Sequence, residues 1–210
     1  MKTILLDFDG TIANSFDNII NCINNLSKKY KYDKIEKTNI IRDENIKNLF
    51  SKIKIRWYKI PFYMRDLKLC LRKDMDNVEL FVDFADCLTK LKNDYNLVIL
   101  SSNNSNTIKD ILEKNKMNIF SEICPDSSLN GKQKTIKKFL KQNKISMENV
   151  IYVGDEIRDI HACQKAGIPI IAVSWGFNNR QSLFKNNPDY LADNIDEFKA
   201  ILNLHFKNHN

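Results

Sequence analysis

Short apolar runs alternate with amphipathic stretches along most of the chain. Polar turns bound the apolar runs, which lie at Ile4–Leu6, Leu97–Leu100, Val150–Val153 and Ile168–Val173. Between the later runs, apolar side chains recur at helical spacing, first at Ile108–Leu112 and then at Ile136–Leu140. Continuously apolar strands that alternate with helices are typical of a parallel sheet covered on both faces. We therefore expect an α/β fold, with any functional site in the loops that follow the strands.

The segment after the first strand breaks this alternation. It holds no run with strand character, and Phe16–Tyr30 instead has helical spacing with Ser15 as its expected N-cap. A second helical pattern covers Ile46–Ile60, and Pro61 is expected to end it. A third covers Tyr63–Leu71. The chain therefore predicts an all-helical insert in the sheet domain.

A further helical pattern at Phe81–Leu91 leads back towards the second strand. We accordingly predict two domains, an α/β core formed by residues 1–14 and 80–210 and an inserted helical domain formed by residues 15–79. A length of 210 residues suits one large domain or one domain with an insert.

Composition narrows the possible location of the protein. No apolar run approaches the roughly 18 residues that a membrane-spanning helix needs, and the first run reaches Asp7 after three apolar residues, too soon for a signal peptide. The five cysteines are odd in number, far apart and free of C-x-x-C spacing. We expect reduced thiols and a cytoplasmic protein without a membrane partner.

The chain is basic, with 33 lysines and arginines against 26 acidic residues and a formal net charge of +7. Only six of the basic residues are arginines, the residue type on which nucleic-acid binders rely for bidentate contacts. We therefore expect no nucleic-acid partner. The charge is concentrated in the insert, where residues 28–73 hold 15 basic and five acidic residues. These basic residues have two possible interpretations. Some of them, for example Arg56, Arg65 or Arg72, bind the substrate, or all of them form an ordinary solvated face.

The first predicted strand ends in Asp7-Phe8-Asp9-Gly10-Thr11. Carboxylates two residues apart at a strand end can face the same cavity, and Gly10 lets the backbone turn sharply after them. The third strand ends in Gly154-Asp155, and Asp159 follows one helical turn later. Clustered hard oxygen ligands of this kind suit Mg²⁺.

Two further polar groups follow predicted strands. Ser101, Ser102 and Asn103 follow the second strand, where a hydroxyl could donate to a phosphoryl oxygen. We select Ser102 with Asn103, although Ser101 stays open as the hydroxyl in question. Lys132, after Gly131, opens the next lysine-rich helix and is placed to point into the site.

Together these motifs resemble the haloacid-dehalogenase-like hydrolase superfamily. The resemblance rests on Asp7-x-Asp9-Gly10-Thr11, on Ser102-Asn103, on Lys132 and on Gly154-Asp155-x-x-x-Asp159, in that order along the chain. The stretches Val153–Ile160 and Ala172–Phe177 look like the phosphoglycolate-phosphatase-like branch. The resemblance covers roughly residues 1–15 and 95–180 and implies a Rossmann-like core with a helical cap. Asn14 and Phe81-Val82-Asp83 depart from the branch near the expected cap junctions.

The resemblance also implies a mechanism. Asp7 would be the nucleophile that forms an aspartyl phosphate, and Asp9 the general acid and base. Mg²⁺ would be held by Asp7, the Asp9 backbone carbonyl and Asp155, with Asp159 orienting the waters of the metal. Groups implied to bind phosphate are Ser102, Asn103, Lys132, Gly10 and Thr11.

We therefore expect a Mg²⁺-dependent phosphatase acting on a small phosphate monoester similar to phosphoglycolate. The alternatives are a sugar-phosphate phosphomutase, which would return the phosphoryl group to a bisphosphate, and a non-catalytic binding module on the same scaffold. An acid at the position of Asp9 favours a phosphatase or a phosphomutase within this superfamily.

Overall fold

The structure is a computed structural model, and it describes residues 1–35, 53, 55–74, 77–126 and 131–207. Most of the second helical pattern of the insert, Ile46–Lys52, lies outside the described residues. The predicted α/β architecture is confirmed, because a six-stranded parallel sheet lies between helices on both faces.

Six strands form the main sheet, with the bounds Thr3–Leu6 (β1), Asn96–Ser101 (β4), Glu122–Pro125 (β5), Val150–Gly154 (β6), Ile170–Val173 (β7) and Tyr190–Ala192 (β8). Their order in the sheet is β5-β4-β1-β6-β7-β8. Two short strands, Ala13–Asn14 (β2) and Glu79–Leu80 (β3), pair antiparallel with each other.

Eight α-helices occur in the described part of the chain. Their bounds are Phe16–Tyr30 (α1), Ile60–Lys73 (α2), Val82–Leu91 (α3), Ser105–Lys114 (α4), Lys132–Asn143 (α5), Ile157–Ala166 (α6), Arg180–Phe184 (α7) and Ile195–Lys207 (α8). Short 3₁₀ turns occur at Trp57–Lys59 and Met147–Asn149. No helix among the described residues is long and apolar enough to cross a membrane.

Alternate side chains of each central strand enter different hydrophobic cores. In β1, Ile4 and Leu6 belong to one core and Leu5 to the other. Strand β6 divides in the same way, with Val153 in the first core and Tyr152 in the second. Successive strand residues point to opposite faces, so a strand buried on both faces must be apolar throughout. This explains why the central strands were visible as continuous apolar runs.

The sheet order places β1 between β4 and β6, both parallel to it. The chain continues outward from β4 to β5, and then returns to the other side of β1 through β6. The carboxyl ends of β1, β4 and β6 therefore surround a point where the strand order reverses, which is where open α/β sheets bind their ligands.

The insert has its own hydrophobic core. Its buried members are Ile20, Cys22, Ile23, Tyr30, Ile53, Tyr63 and Leu67, from α1, α2 and the segment before α2. Tyr63 contacts Tyr30 edge to face at 5.0 Å between ring centroids. Strands β2 and β3 pair with each other at the two ends of this helical segment, with Ala13 opposite Leu80. A contact between Phe16 and Phe177, at 5.6 Å, joins the insert to the loop after β7.

One of two local expectations for the insert is wrong. Pro61 does not end a helix near Ile60: α2 begins at Ile60, with Pro61 in its first turn, after the 3₁₀ turn at Trp57–Lys59. Proline suits this position because its missing N–H would have no partner in the first turn of a helix. The other expectation is confirmed in position, because Ser15 is the N-cap residue of α1, although its hydroxyl makes no capping hydrogen bond.

The expectation that all five cysteines are reduced is also wrong. Cys22 of α1 and Cys70 of α2 form a disulfide, with their Cα atoms 5.7 Å apart, whereas Cys87, Cys124 and Cys163 are free and buried. The two partners lie 48 residues apart in the sequence, and spacing alone carries no signal for such a pairing. The cytoplasmic location stays a prediction and loses the support that it drew from unpaired cysteines.

Candidate active site

Four predicted site residues meet at the carboxyl edge of the sheet. Asp7 follows β1 directly, Asp155 follows β6, and Asp159 lies in the first turn of α6. Lys132 opens α5 and reaches the same point from the loop after β5. All four side chains are buried: Asp7, Asp155 and Asp159 are at most 1% exposed, and Lys132 is 6% exposed.

The lysine bridges two of the carboxylates. Lys132 Nζ lies 2.8 Å from Asp7 Oδ2 and 2.6 Å from Asp159 Oδ1. The other oxygen of Asp7, Oδ1, accepts a hydrogen bond of 2.8 Å from the Phe8 backbone N–H. Burial alone would lower the pKa of the Lys132 ammonium, but the charges of Asp159 and Asp7 hold that pKa above its usual value. Lys132 is therefore a charged group that fixes the orientation of the Asp7 carboxylate.

The three carboxylates form a candidate metal centre. One oxygen from each of Asp7, Asp155 and Asp159 lies within 4.8 Å of the others. Burial raises the pKa of Asp155 well above its usual range, and the charges of Glu156, Asp7 and Asp159 add to the rise. Three carboxylates and one ammonium give this cluster a formal charge of −2. A divalent cation would balance that charge, and the all-oxygen donor set suits Mg²⁺.

The Asp155 carboxylate is held from two sides. Thr11 Oγ1 donates to Asp155 Oδ1 at 2.7 Å, and the Phe177 backbone N–H donates to Oδ2 at 2.7 Å. Gly10, at φ +79°, and Gly176 pass so close that an added Cβ would lie 2.1 Å and 2.3 Å from Asp155 Oδ2. The two glycines are therefore required by close approach to a carboxylate.

This arrangement uses two groups that the sequence assigned to phosphate binding. The Thr11 hydroxyl is committed to Asp155, and the Gly10 backbone N–H donates to the Ala13 carbonyl at 2.8 Å. The contacts of Gly10 and Thr11 therefore favour a structural role, in which these residues shape the loop and hold Asp155, over the expected role in phosphate binding.

Asp9 is placed differently from Asp7. It is half-buried, and its Oδ2 accepts a hydrogen bond of 3.1 Å from Asn103 Nδ2. Burial of the carboxyl and then the charge of Asp7 raise the pKa of Asp9, while the neighbouring Ser15 and Asn103 side chains oppose this rise. A carboxyl with a raised pKa is suited to donate a proton.

The structure separates the two serines at the end of β4. Ser101 is buried, and its Oγ accepts a hydrogen bond of 3.1 Å from the Asn103 backbone N–H. Ser102 is exposed to solvent. Asn103, which was expected to bind phosphate, lies beside Asp9. The buried position of Ser101 at the strand end favours Ser101 over the expected Ser102 as the phosphate-binding hydroxyl.

Sequence reasoning missed several residues around the site. Glu156 and Arg158, between the two acidic motif positions, form an ion pair of 2.6 Å. Asn178 Oδ1 accepts a hydrogen bond of 2.9 Å from the Ile157 backbone N–H. The only available signal was their proximity to the motifs, because backbone partners leave no pattern in a sequence.

The arginines proposed as cap anchors are all exposed. Arg56 donates to Tyr58 Oη at 3.1 Å, and Arg65 Nη2 lies 3.3 Å from Asp66 Oδ1, so these contacts are made inside the insert. The structure therefore leaves a role for Arg56, Arg65 or Arg72 as a prediction.

Comparison with known proteins agrees with this geometry. The model of the haloacid dehalogenase-like hydrolase family matches residues 4–173. The phosphoglycolate phosphatase of Synechococcus elongatus is 27% identical over 97% of this chain and 99% of its own length. The pyrophosphatase PpaX of Bacillus mycoides is 23% identical over 96% of this chain and 97% of its own.

A solved structure shares the fold along nearly the whole chain. A haloacid dehalogenase-like hydrolase from Streptococcus pneumoniae superposes with a TM-score of 0.84 at 21% identity, covering 97% of this chain and 98% of the other. Both the family match and the aligned relatives extend across the segments that supply Asp7, Lys132 and Asp155. This chain belongs to the haloacid dehalogenase-like hydrolase family, and it resembles the phosphoglycolate-phosphatase-like branch of that family.

Proposed function

We propose that the protein is a Mg²⁺-dependent phosphatase that hydrolyses a small phosphate monoester through an aspartyl phosphate on Asp7. The observation that carries this proposal is the buried cluster at the carboxyl edge of the sheet. There Lys132 fixes the Asp7 carboxylate, and the oxygens of Asp155 and Asp159 lie within 4.8 Å of it. The names of the aligned relatives favour hydrolysis over phosphomutase or purely binding roles.

Asp7 and Asp155 are proposed to hold the Mg²⁺, together with the backbone carbonyl of Asp9, and Asp159 to orient the waters of the metal. The cation would neutralise the repulsion between the Asp7 carboxylate and an incoming phosphate. The fit is supported by the −2 charge of the cluster. It is also supported by the raised pKa values of Asp155 and Asp159, which burial causes first and neighbouring carboxylates increase.

In the first step, a carboxylate oxygen of Asp7 attacks phosphorus, and the bond between phosphorus and the ester oxygen breaks. Asp9 donates its proton to the departing alkoxide, for which its raised pKa prepares it. Lys132 keeps Asp7 oriented, and the buried hydroxyl of Ser101 is the proposed donor to a phosphoryl oxygen, in preference to Ser102.

In the second step, Asp9 takes a proton from a water molecule, which attacks phosphorus. The bond to Asp7 then breaks, releasing inorganic phosphate and restoring the carboxylate of Asp7. Asp9 ends protonated, as it began. Asn103, whose amide lies 3.1 Å from Asp9 Oδ2, keeps this carboxyl in position through both steps.

The proposed substrate is a small phosphate ester such as phosphoglycolate. The names of two relatives, a phosphoglycolate phosphatase and a pyrophosphatase, point to compounds with a second anionic group close to the transferred phosphoryl group. We further propose that residues 15–79 form a cap domain over the site. The paired strands β2 and β3 and the Phe16–Phe177 contact support this boundary and placement.

The test measures inorganic phosphate released from phosphoglycolate, pyrophosphate and p-nitrophenyl phosphate. We expect activity that EDTA abolishes and Mg²⁺ restores, and only weak activity with Ca²⁺, whose larger and looser coordination shell misplaces the nucleophile. Full activity after exhaustive chelation contradicts the metal assignment. Transfer of the phosphoryl group to a second ester without release of phosphate would instead indicate a phosphomutase.

A further inference from the structure

Arg158 lies in the first turn of α6, between the two acidic residues of the site. Asp155 precedes it by three positions, and Asp159 follows it directly. Its Nη2 lies 2.6 Å from Glu156 Oε1, so the guanidinium is drawn back towards the start of the helix. The side chain of Glu156 is 4% exposed and that of Arg158 is 41% exposed. The guanidinium is therefore anchored on a buried carboxylate and open to solvent on another side.

Arg158 lies next to the buried carboxylate cluster. It directly precedes Asp159, and the backbone N–H of its partner Glu156 donates to Asp159 Oδ2 at 3.3 Å. Lys132 also carries positive charge here, but its ammonium is buried and bound to two carboxylates of the cluster. Among the described residues of the site, Arg158 is thus the cation with an open side.

Burial of the Glu156 carboxylate lowers the stability of the fold, and the ion pair with Arg158 is not expected to offset this loss. Removing a carboxylate from water is unfavourable, and a pairing with a half-exposed arginine seldom gives a net gain in stability. What the contact does achieve is positional. It fixes one end of a planar group that carries five N–H donors and matches the geometry of carboxylates and phosphates.

We propose that Arg158 is a specificity-determining residue that binds a second anionic group of the substrate, a carboxylate or phosphoryl group close to the scissile ester bond. Glu156 is the positioning residue that holds the guanidinium. This inference rests on the proposed function and adds to it the feature that selects the substrate. It assigns that selection to the core domain, whereas the sequence directed attention to arginines of the insert.

The test compares two substrates that differ in one charge. Phosphoglycolate carries a carboxylate, and its amide, 2-(phosphonooxy)acetamide, has nearly the same shape without that charge. With Mg²⁺ present, wild-type protein should prefer phosphoglycolate by about 10- to 100-fold in kcat/KM, the range expected for one charge-assisted contact. In the Arg158→Gln variant this preference should vanish, through a higher KM for phosphoglycolate and pyrophosphate. Activity on the amide and on p-nitrophenyl phosphate should change by less than about threefold.

Two further variants control for structural effects. Arg158→Lys keeps the charge and loses the planar fork, so it should retain part of the preference. Arg180→Gln removes an exposed arginine whose partner is Asp193, and it should leave all substrates unaffected. Equal losses on all substrates in Arg158→Gln, or a wild-type protein that does not distinguish the amide from phosphoglycolate, would overturn the proposal.

A binding measurement separates this inference from the proposed reaction. In an Asp7→Asn background, calorimetric titration should show tighter binding of phosphoglycolate than of the amide, and addition of Arg158→Gln should remove the difference. Discrimination in binding without turnover in wild-type protein would support the role of Arg158 and contradict the proposed function. Turnover without discrimination would do the reverse.

Discussion

Asp7 and Asp9 stand two residues apart, yet their surroundings prepare them for different tasks. Asp7 is buried, and Lys132 Nζ lies 2.8 Å from its Oδ2, which fixes the orientation of the carboxylate. Asp9 is half-buried beside Asn103, and burial raises its pKa. Two carboxylates with different environments are the usual arrangement where one residue attacks and the other transfers a proton.

Substitution of these two residues should therefore have effects that differ in kind. We expect Asp7→Asn to lower kcat by about 10⁴-fold or more, as loss of a nucleophile does in covalent catalysis. Asp9→Asn should lower it by about 10²- to 10⁴-fold, the contribution of a general acid and base. With p-nitrophenyl phosphate, whose leaving group needs no proton, Asp9→Asn should accumulate labelled protein, and Asp7→Asn should not.

Circular dichroism should show an intact fold for both variants, because neither carboxyl belongs to the apolar cores. Covalent labelling of the Asp7→Asn protein would refute the nucleophile assignment.

Gly10 offers a second prediction at the residue scale. Gly10 and Gly167 have nearly the same backbone angle, φ +79° and +80°, so alanine at either should cost about 1–2 kcal/mol of stability. Of these two positions, only at position 10 does the new Cβ meet the candidate metal centre, 2.1 Å from Asp155 Oδ2, whereas at position 167 it makes ordinary contact with Met147. Gly10→Ala should therefore lose Mg²⁺-dependent activity, and Gly167→Ala should keep it at temperatures where both are folded. Equal activities would show that Asp155 tolerates displacement.

The charged residues at the centre of the site were easier to predict from the sequence than the groups that hold them in position. Asp7, Asp155, Asp159 and Lys132 were found because each follows an apolar strand or opens a helix, and chemistry restricts the residue types there. The Phe177 backbone N–H that holds Asp155 could not be found, since any residue supplies that donor. Glu156 and Arg158 were hidden because an ion pair on a helix start is also typical of ordinary helix capping.

At the scale of elements, strands in the middle of the sheet were predictable and strands at its edges were not. Strands β1, β4, β6 and β7 are buried on both faces and so must be apolar throughout. The edge strand β5 contains Glu122 and Pro125, and β8 is only three residues long. Edge strands have one partner and one open side, so they need neither continuous apolarity nor every backbone N–H.

The disulfide between α1 and α2 gives a prediction at the scale of elements. In the loop-entropy account, closing a separation of 48 residues is worth roughly 4 kcal/mol. A Cys22→Ser/Cys70→Ser variant should therefore melt about 10 °C below the oxidised wild type, given the usual dependence of melting temperature on stability for this chain length.

Reductant provides the control for this comparison. Dithiothreitol should lower the melting temperature of the wild type towards that of the double variant and leave the double variant unchanged. Cys87→Ala, which removes a free and buried thiol, should keep the sensitivity to reductant. A wild-type protein that melts at the same temperature with and without reductant would show that the two cysteines are not paired in solution.

At the scale of the whole molecule, the positive charge is unevenly distributed. The formal net charge is +7, of which residues 28–73 contribute +10 and the remainder of the chain −3. The cluster that would bind the phosphate is itself negative before a cation enters. The insert is therefore the part of the chain that would attract an anionic substrate over distances longer than direct contact. Such attraction changes the rate of encounter and is screened by salt, with a Debye length of about 10 Å at 0.1 M.

Because of this distribution, substitutions of the insert arginines and of Arg158 should change the salt dependence of kcat/KM in different ways. We expect kcat/KM for phosphoglycolate to fall as ionic strength rises, and the triple variant Arg56→Gln/Arg65→Gln/Arg72→Gln to flatten this dependence. Its KM should rise more than its kcat falls, and p-nitrophenyl phosphate, which lacks the second anionic group, should be less affected.

Removing three charges from the exposed face of α5, in Lys137→Gln/Lys138→Gln/Lys141→Gln, is the matched control and should change little. Arg158→Gln should keep the salt dependence of the wild type, since a contact within the site acts at short range. If both triple variants behave alike, the charge of the insert is an ordinary solvated surface. Selection of the substrate would then rest on the core domain alone.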